Sequence, residues 1–412
     1  MHQSRRHFLQ TTLGASALLT FAPRIPGFLA RAGEAARRRP GPDETILVVL
    51  QLSGGNDGLN SVVPFTNDAY IKARPTLHLR EDEVLKLNDE LGFHPRLQAF
   101  KALHDEGLLG ILQGVGCDKL SRDHDGAMRT WHVADPGETP RQTGWIGRAA
   151  DALIARPGTA TPACFMGGIP RPFALNAAAA VVPAFRGPQD LLLRDGRAKS
   201  VRGSAHAEAP VNPLLNQVRQ AAAEAEAQSS RLRAILEQGE GGNGYPDFPF
   251  AQDLRGISQL IQADLGTRIF FAELGGGGIG GFDNHANQAG NHDALLEQLA
   301  TGVAAFVRDL RRHDLLDRVV LMTFSEFGRT LEENGRHGTN HGAAGPVFLA
   351  GGGVAAGLLG SHPSLTDLDQ GGLRHSVDFR QLYSAVLGNW LGLDAADLLG
   401  GTFEPASLWP AA

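Results

Sequence analysis

The sequence predicts an α/β domain: a mostly parallel central sheet covered on both faces by helices. Two observations predict it. Continuous apolar, β-branched runs recur along the chain, and amphipathic helical stripes alternate with them. The 412-residue length and the 42% hydrophobic content are enough for one large core.

The elements follow in order. "TILVVLQL" (45–52) is apolar throughout, as expected for a strand buried on both faces. Further strands are predicted at 108–115, 177–185, 268–275, 318–325 and 346–353. Leu295, Leu299, Val303, Phe306 and Leu310 form one stripe of a long helix. "HPRLQAFKALHDEG" and "DFRQLYSAVLGNWLG" have the same period. Residues 187–250 are polar, Ala-rich and Gly-punctuated, and predict a long helix between loops: a cap or insertion on a main domain spanning 45–412. No internal repeat is present.

The N-terminus has the pattern of an export signal. Arg5 and Arg6 precede Phe8, Leu9 and a modest apolar run, with small residues at Ala30 and Ala32. This is the pattern of a twin-arginine signal peptide over 1–32, cleaved near Ala32, followed by a linker over 33–44. The twin-arginine translocase is then a partner, and the mature chain is expected in the periplasm or outside the cell. The apolar run is too short for a stable membrane span. Residues 1–32 hold four arginines and no acid, so their removal takes the formal net charge from −6 to −10. An acidic exported chain is a poor nucleic-acid binder. Cys117 and Cys164 permit one disulfide in an oxidising compartment, or are two small buried residues.

Ligands in open α/β sheets sit beyond the carboxyl ends of the strands. Four of the six predicted strands are followed there by acids or histidines. Asn56 and Asp57 follow the first, and Ser121, Asp123, His124 and Asp125 the second. Asp283, His285 and His292 follow the strand at 268–275; Glu326, His337 and His341 follow that at 318–325. Carboxylates and neutral imidazoles are the ordinary ligands of Zn²⁺ and Mn²⁺. Each has a plainer reading too: Asn56-Asp57-Gly58 is a good turn, and Asp123 or Asp125 a good helix cap. Two glycine runs, 276–281 and 351–356, match a dinucleotide fingerprint only formally, because no full helix is expected to follow either. "TFSEFG" lacks the first glycine of a serine-hydrolase elbow.

Seven ordered segments carry a resemblance: "LQLSGGNDGLNSVVP", "FHPRLQAF", "SRDHDGAMRTWH", "GGFDNHANQ…HDALLEQL", "TFSEFGRT", "GTNHGAAGPVFLAGGGV" and "VDFRQLYSAVLGNWLG". Together they resemble the twin-arginine-exported bacterial family catalogued as domain of unknown function 1501. That family in turn resembles the alkaline phosphatase and sulfatase superfamily. The resemblance implies an alkaline-phosphatase-like three-layer sandwich and one or two divalent ions (Zn, Mn, Ca or Mg). It also implies hydrolysis or transfer of anionic small-molecule or glycan esters of phosphate or sulfate. By position, Asp57, Asp283, His285, Glu326 and His341 match metal ligands, and the helix start near Asp123 matches the nucleophile. His124 or His337 would donate a proton or serve as a reserve ligand. Three positions depart from the pattern. Asp123 stands for a serine, Asn340 for an acid, and Phe327 for a histidine ligand. The implied function is an exported metal-dependent hydrolase. The alternative is a catalytically degenerate phosphatase-like binding protein of the cell envelope, with the 187–250 cap as its contact surface.

Overall fold

A computed structural model describes residues 45–135, 141–156, 161–192, 213–238, 244–276 and 281–410. The signal-peptide and linker readings lie outside these residues. The centre is a nine-stranded sheet. In chain order its strands are β1 (Ile46–Leu52), β2 (Leu109–Gly116), β3 (Ala163–Met166), β4 (Ala184–Phe185), β5 (Ile269–Leu274), β6 (Val319–Phe324), β7 (Gly345–Ala350), β8 (Gly357–Leu359) and β9 (Val377–Asp378). The order across the sheet is β8-β2-β7-β6-β1-β5-β3-β4, with β9 also beside β2. β7 alone is antiparallel to its neighbours, so the other strands all point one way.

β1 lies at the middle because both faces of "ILVVLQL" are apolar. Val48, Leu50 and Leu52 face one core, and Leu47 and Val49 face the other. It pairs in parallel with β5 (Leu47 opposite Ile269) and β6 (Ile46 opposite Val319). The first core is covered by α1 (Gln98–Asp105), α5 (Pro249–Ala263) and α6 (Gln288–Arg312). The stripe Leu295, Leu299, Val303, Phe306 and Leu310 faces this core. α4 (Pro213–Gln238) adds Leu232. The second core is covered by α2 (His124–Val133), α3 (Trp145–Ile154) and α7 (Phe379–Ser384). The result is the three-layer α/β sandwich that the alternating pattern predicts.

Three expectations change. The run 177–185 is strand only at Ala184–Phe185. Asp151 of α3 accepts from the backbone N–H groups of Ala178, Ala179 and Ala180 at 2.8, 2.8 and 2.6 Å, so these donors are withdrawn from a ladder. Pro183 has no donor to give. The four-residue β3, too short to register as a strand, fills the place between β4 and β5. The two cysteines are free thiols, Cys164 in the first core and Cys117 in the second, so the sheet lies between them. The glycines at 351–353 follow the antiparallel strand β7 and lead into β8, not a helix, so they are no dinucleotide site.

Two buried histidines contribute to the acid sensitivity of this fold. Burial holds His132 down to about 3 and His292 down to about 4, against an ordinary 6.5. His132 Nε2 meets Gln51 Oε1 at 2.7 Å, and His292 Nε2 meets Asn56 Oδ1 at 3.1 Å. The unfolded chain therefore takes up protons that the native state refuses as pH falls from about 6.5 towards 4. Their stabilising contribution is complete above that window and is lost below it. Denaturant titrations across pH 7 to 4 should show stability falling, with a smaller slope for His132→Asn. Separately, Asp151→Ala should cost about 0.5–1.5 kcal/mol, because three loop donors lose a charged acceptor and two of them are exposed enough to turn to water.

Candidate metal centre

The C-terminal ends of β1, β2, β5 and β6 share one edge of the sheet, and the functional side chains gather there. Glu326 leaves the end of β6, where its Oε1 accepts from Gly54 N at 2.7 Å. Gly54 has φ +109°, and a Cβ there would lie 2.4 Å from Asp283 N. Only glycine lets the loop after β1 approach the loop after β5 this closely. His124 opens α2, which Asp123 caps by accepting from Gly126 N at 2.7 Å. Trp131 anchors the same helix to the site by donating to Glu326 O at 2.8 Å.

Asp283 is the meeting point. His285 Nε2 lies 3.0 Å and His341 Nε2 3.2 Å from its Oδ1, and His124 Nε2 lies 3.4 Å from its Oδ2. The two nitrogens of His285 and His341 are 2.8 Å apart. The donor atoms of His124, Asp283 and His341 all fall within 4.8 Å of one another. Arg329 donates to Asp283 Oδ1 at 2.8 Å. It also donates to the carbonyls of Gly55, Phe282 and Thr339 at 2.7, 2.9 and 3.2 Å, and to that of Gly54. One buried guanidinium thus pins three loops together.

The hydrogen bonds fix the tautomers that the rings adopt when neutral. His341 Nδ1 donates to Arg122 O at 2.5 Å, which leaves Nε2 a bare lone pair. His124 Nδ1 donates to Glu326 Oε1 at 3.0 Å, which leaves its Nε2 bare as well. Both lone pairs face a carboxylate that can only accept. Acceptors facing acceptors repel unless positive charge lies between them. The protonation tendencies agree. The Glu326 hydrogen bond raises the His124 pKa. Burial pushes the Asp283 carboxyl up, but Arg329 and the imidazoles more than offset it and hold it below the usual range. Burial lowers His285, and Asn340 hydrogen-bonds to it. Three imidazole nitrogens and one carboxylate in this arrangement are a chemically suitable donor set for a divalent cation.

Other sequence-predicted residues take different places. Asp57, expected as a ligand, is 3% exposed at its side chain and holds Arg74 through both oxygens, at 2.7 and 3.0 Å. Gln288 adds a bond at 2.6 Å. Both lone-pair faces are therefore occupied, and Asp57 is a structural anion. Burial pushes its carboxyl up, and Arg74 more than offsets this. Glu326, also expected as a ligand, orients His124 and Gly54. His124, expected as a proton donor or reserve ligand, stands among the candidate ligands. His337 has its Nδ1 3.1 Å from Thr76 Oγ1 and stands outside the group of candidate ligands. The Asp123 carboxylate accepts from Gly126 N in the α2 cap and from Ser121 Oγ, and it stands outside the group of candidate ligands. His292 is buried behind Asn56. Phe327 stacks on His341 at 4.4 Å and forms an apolar wall.

Arg329, Arg74 and Gln288 were missed from sequence. One signal was available: Arg329 and Leu331 share the inward face of a short strand (Arg329–Glu333), which places a charge where only a satisfied one can sit.

A search of curated proteins returned no significant match. Solved structures similar to this chain include three with large coverage. The first is the integral membrane lipooligosaccharide phosphoethanolamine transferase EptA of Neisseria meningitidis, with TM-score 0.43 and 11% identity. The match covers 86% of this chain but 56% of that one, so this chain spans little more than half its length. The second is the lipoteichoic acid synthase LtaP of Listeria monocytogenes, with TM-score 0.39, 12% identity, and coverage of 89% and 77%. The third is TAB5 alkaline phosphatase with Mg bound, with TM-score 0.34, 11% identity, and coverage of 75% and 92%. These are loose likenesses of an α/β architecture, and no residue role is taken from them. Among the described residues no helix is long and apolar enough to cross a membrane. The sequence itself gives the firmer relation: over residues 44–403 the chain belongs to the family described as protein of unknown function (DUF1501).

Proposed function

We propose that this chain is an exported, metal-dependent hydrolase of phosphate or sulfate esters. One observation carries the reading: bare imidazole lone pairs of His124 and His341 face the Asp283 carboxylate, with His285 beside them. His124, Asp283, His285 and His341 would hold the ion. A nitrogen-rich set with one carboxylate suits Zn²⁺ or Mn²⁺ better than the all-oxygen shells of Ca²⁺ and Mg²⁺. A divalent ion bound there supplies Lewis acidity toward an ester oxygen and lowers the pKa of water.

The chain's own groups do the rest. Glu326 holds the His124 Nδ1 proton, which keeps Nε2 free to coordinate. Arg122 O does the same for His341. Arg329 fixes Asp283 and the three loops, so the donors need little rearrangement on binding. Phe327 screens one side of His341 from water. The paired arginines and apolar run at the N-terminus support export by the twin-arginine route, and a folded, metal-loaded protein is suited to it.

Elemental analysis of protein exported from its native host should find about one divalent ion per chain. Asp283→Asn and His341→Ala should lose it while remaining folded. Asp57→Asn should keep the ion, yet lose about 3–5 kcal/mol of stability, because the Arg74 charge is left buried without its partner. Turnover of aryl phosphate or aryl sulfate should follow metal content across these variants. A folded, metal-free wild type with neither activity would favour the envelope-binding alternative and sink this reading.

A further inference from the structure

Two of the three candidate imidazoles have an acceptor at Nδ1: Glu326 for His124, and Arg122 O for His341. The acceptor for His285 comes from a turn that docks on its loop. The turn, 334–338, joins the strand Arg329–Glu333 to a three-residue strand, Thr339–His341. Backbone bonds lock it in place. Asn287 N donates to Arg336 O and Gln288 N to His337 O, each at 2.9 Å, and Thr339 N donates to Asn284 O at 3.1 Å. Gly338 permits the contact, because a Cβ there would lie 2.4 Å from His285 C. The side chain of Asn334 bridges the two segments. Its Oδ1 accepts from Arg336 N at 2.9 Å and from Gly338 N at 3.3 Å, so its other end must be the NH₂ group. That Nδ2 donates to His285 O at 3.1 Å and to Asn340 Oδ1 at 3.3 Å.

These bonds settle the orientation of both amides. A carbonyl only accepts, so Asn334 cannot be flipped. An NH₂ group facing Asn340 then requires the amide oxygen of Asn340 on that side. Asn340 in turn accepts a hydrogen bond from the His285 ring. The Nε2 of that ring is committed to the cluster, 3.0 Å from Asp283 Oδ1 and 2.8 Å from His341 Nε2. Nδ1, the nitrogen nearer the backbone that Asn334 also grips, is the one left for Asn340. We propose that Asn340 is the positioning residue of His285: its Oδ1, oriented by Asn334, accepts the Nδ1 proton and leaves the Nε2 lone pair for a divalent ion. This rests on the metal-dependent reading given above. It also gives a role to the amide at a position where the family resemblance implies an acid. An amide oxygen accepts as a carboxylate does but carries no charge. It fixes the tautomer without adding negative charge beside Asp283, and it makes His285 less basic than a carboxylate partner would.

The test uses the purified exported chain, stripped of metal and titrated with Zn²⁺ against a competing chelator, and ¹⁵N-histidine NMR of the Zn²⁺-loaded chain. Asn340 is exposed, so its variants should fold and melt as the wild type does. Asn340→Leu, similar in size but without an acceptor, should weaken Zn²⁺ binding about 10–100-fold. Asn340→Asp keeps an acceptor oxygen and should bind Zn²⁺ at least as tightly as the wild type. The His285 Nδ1–H signal, assigned by its loss in His285→Gln, should persist in the wild type and in Asn340→Asp. In Asn340→Leu it should vanish through exchange with water. Asn334→Asp retains Oδ1 for the turn but loses both donations. It should weaken Zn²⁺ less than Asn340→Leu does, and add little to it in the double variant. Either an unchanged affinity or a persistent Nδ1–H signal in Asn340→Leu overturns the proposal. Equal weakening by Leu and Asp overturns it too, because the acceptor would then be irrelevant. Additive losses in the double variant overturn the step through Asn334. A wild type that binds no Zn²⁺ overturns the metal-dependent reading and this inference with it, whereas Zn²⁺ binding that ignores Asn340 overturns this inference alone.

Discussion

The candidate centre depends on the buried guanidinium of Arg329. It donates to carbonyls of the loops after β1, β5 and β6 and to the Asp283 carboxylate. A carbonyl at a strand end normally bonds to water. Here several of them are turned inward, and burying them unpaired would cost a few kcal/mol each. One planar group with five N–H donors satisfies them together. The three loops are thereby held in a single arrangement, and Asp283, His285 and His341 are placed relative to one another before any ligand arrives. Arg74 does similar work one layer behind, bonding Asp57, Asn60 and the carbonyls of Thr330 and Leu331.

The two arginines explain why the sequence was legible in some respects and misleading in others. Apolar runs name the central strands correctly because burial on both faces leaves no other composition available to them. β1, β2, β5, β6 and β7 are placed within a residue or two of their expected starts. The run 177–185 misleads because its donors go to Asp151, a side chain from another element that no local pattern reveals. β3 is missed because four residues are too few to show a period. The rim is legible for the same reason as the sheet: once the strands are parallel, whatever follows them shares an edge. Asp283, His285 and His341 could therefore be gathered from segments far apart in the chain.

Roles within the rim were less legible. A carboxylate looks the same in sequence whether it faces a cation or a guanidinium. Asp57 is consumed by Arg74, seventeen residues on and separated from it by two short helices with a two-residue strand between them. Glu326 meets His124 at Nδ1, and that hydrogen bond decides what Nε2 can do; ring tautomers are not written in sequence. His337 sits at φ +56° in a tight turn that aims its ring at Thr76. Phe327 was legible as a departure but not as a function. Its ring stacks on His341 and forms an apolar wall beside the cluster.

The charges of the cluster show what the arrangement lacks. Asp283 and Glu326 bring two carboxyls to one strand edge; Arg329 bonds the first directly, and His124 lies between the two, with Nδ1 on Glu326 and Nε2 toward Asp283. The Glu326 hydrogen bond raises the proton affinity of His124, and burial pushes the Asp283 carboxyl up while Arg329 more than offsets it. Glu273, close enough to Glu326 to feel its charge, is pushed up by burial and tends toward the neutral form. The contacts around Asp283 therefore all favour positive charge at one place. A proton on the imidazoles and a divalent cation held by their lone pairs both supply it, so the two would compete, and falling pH would displace the cation.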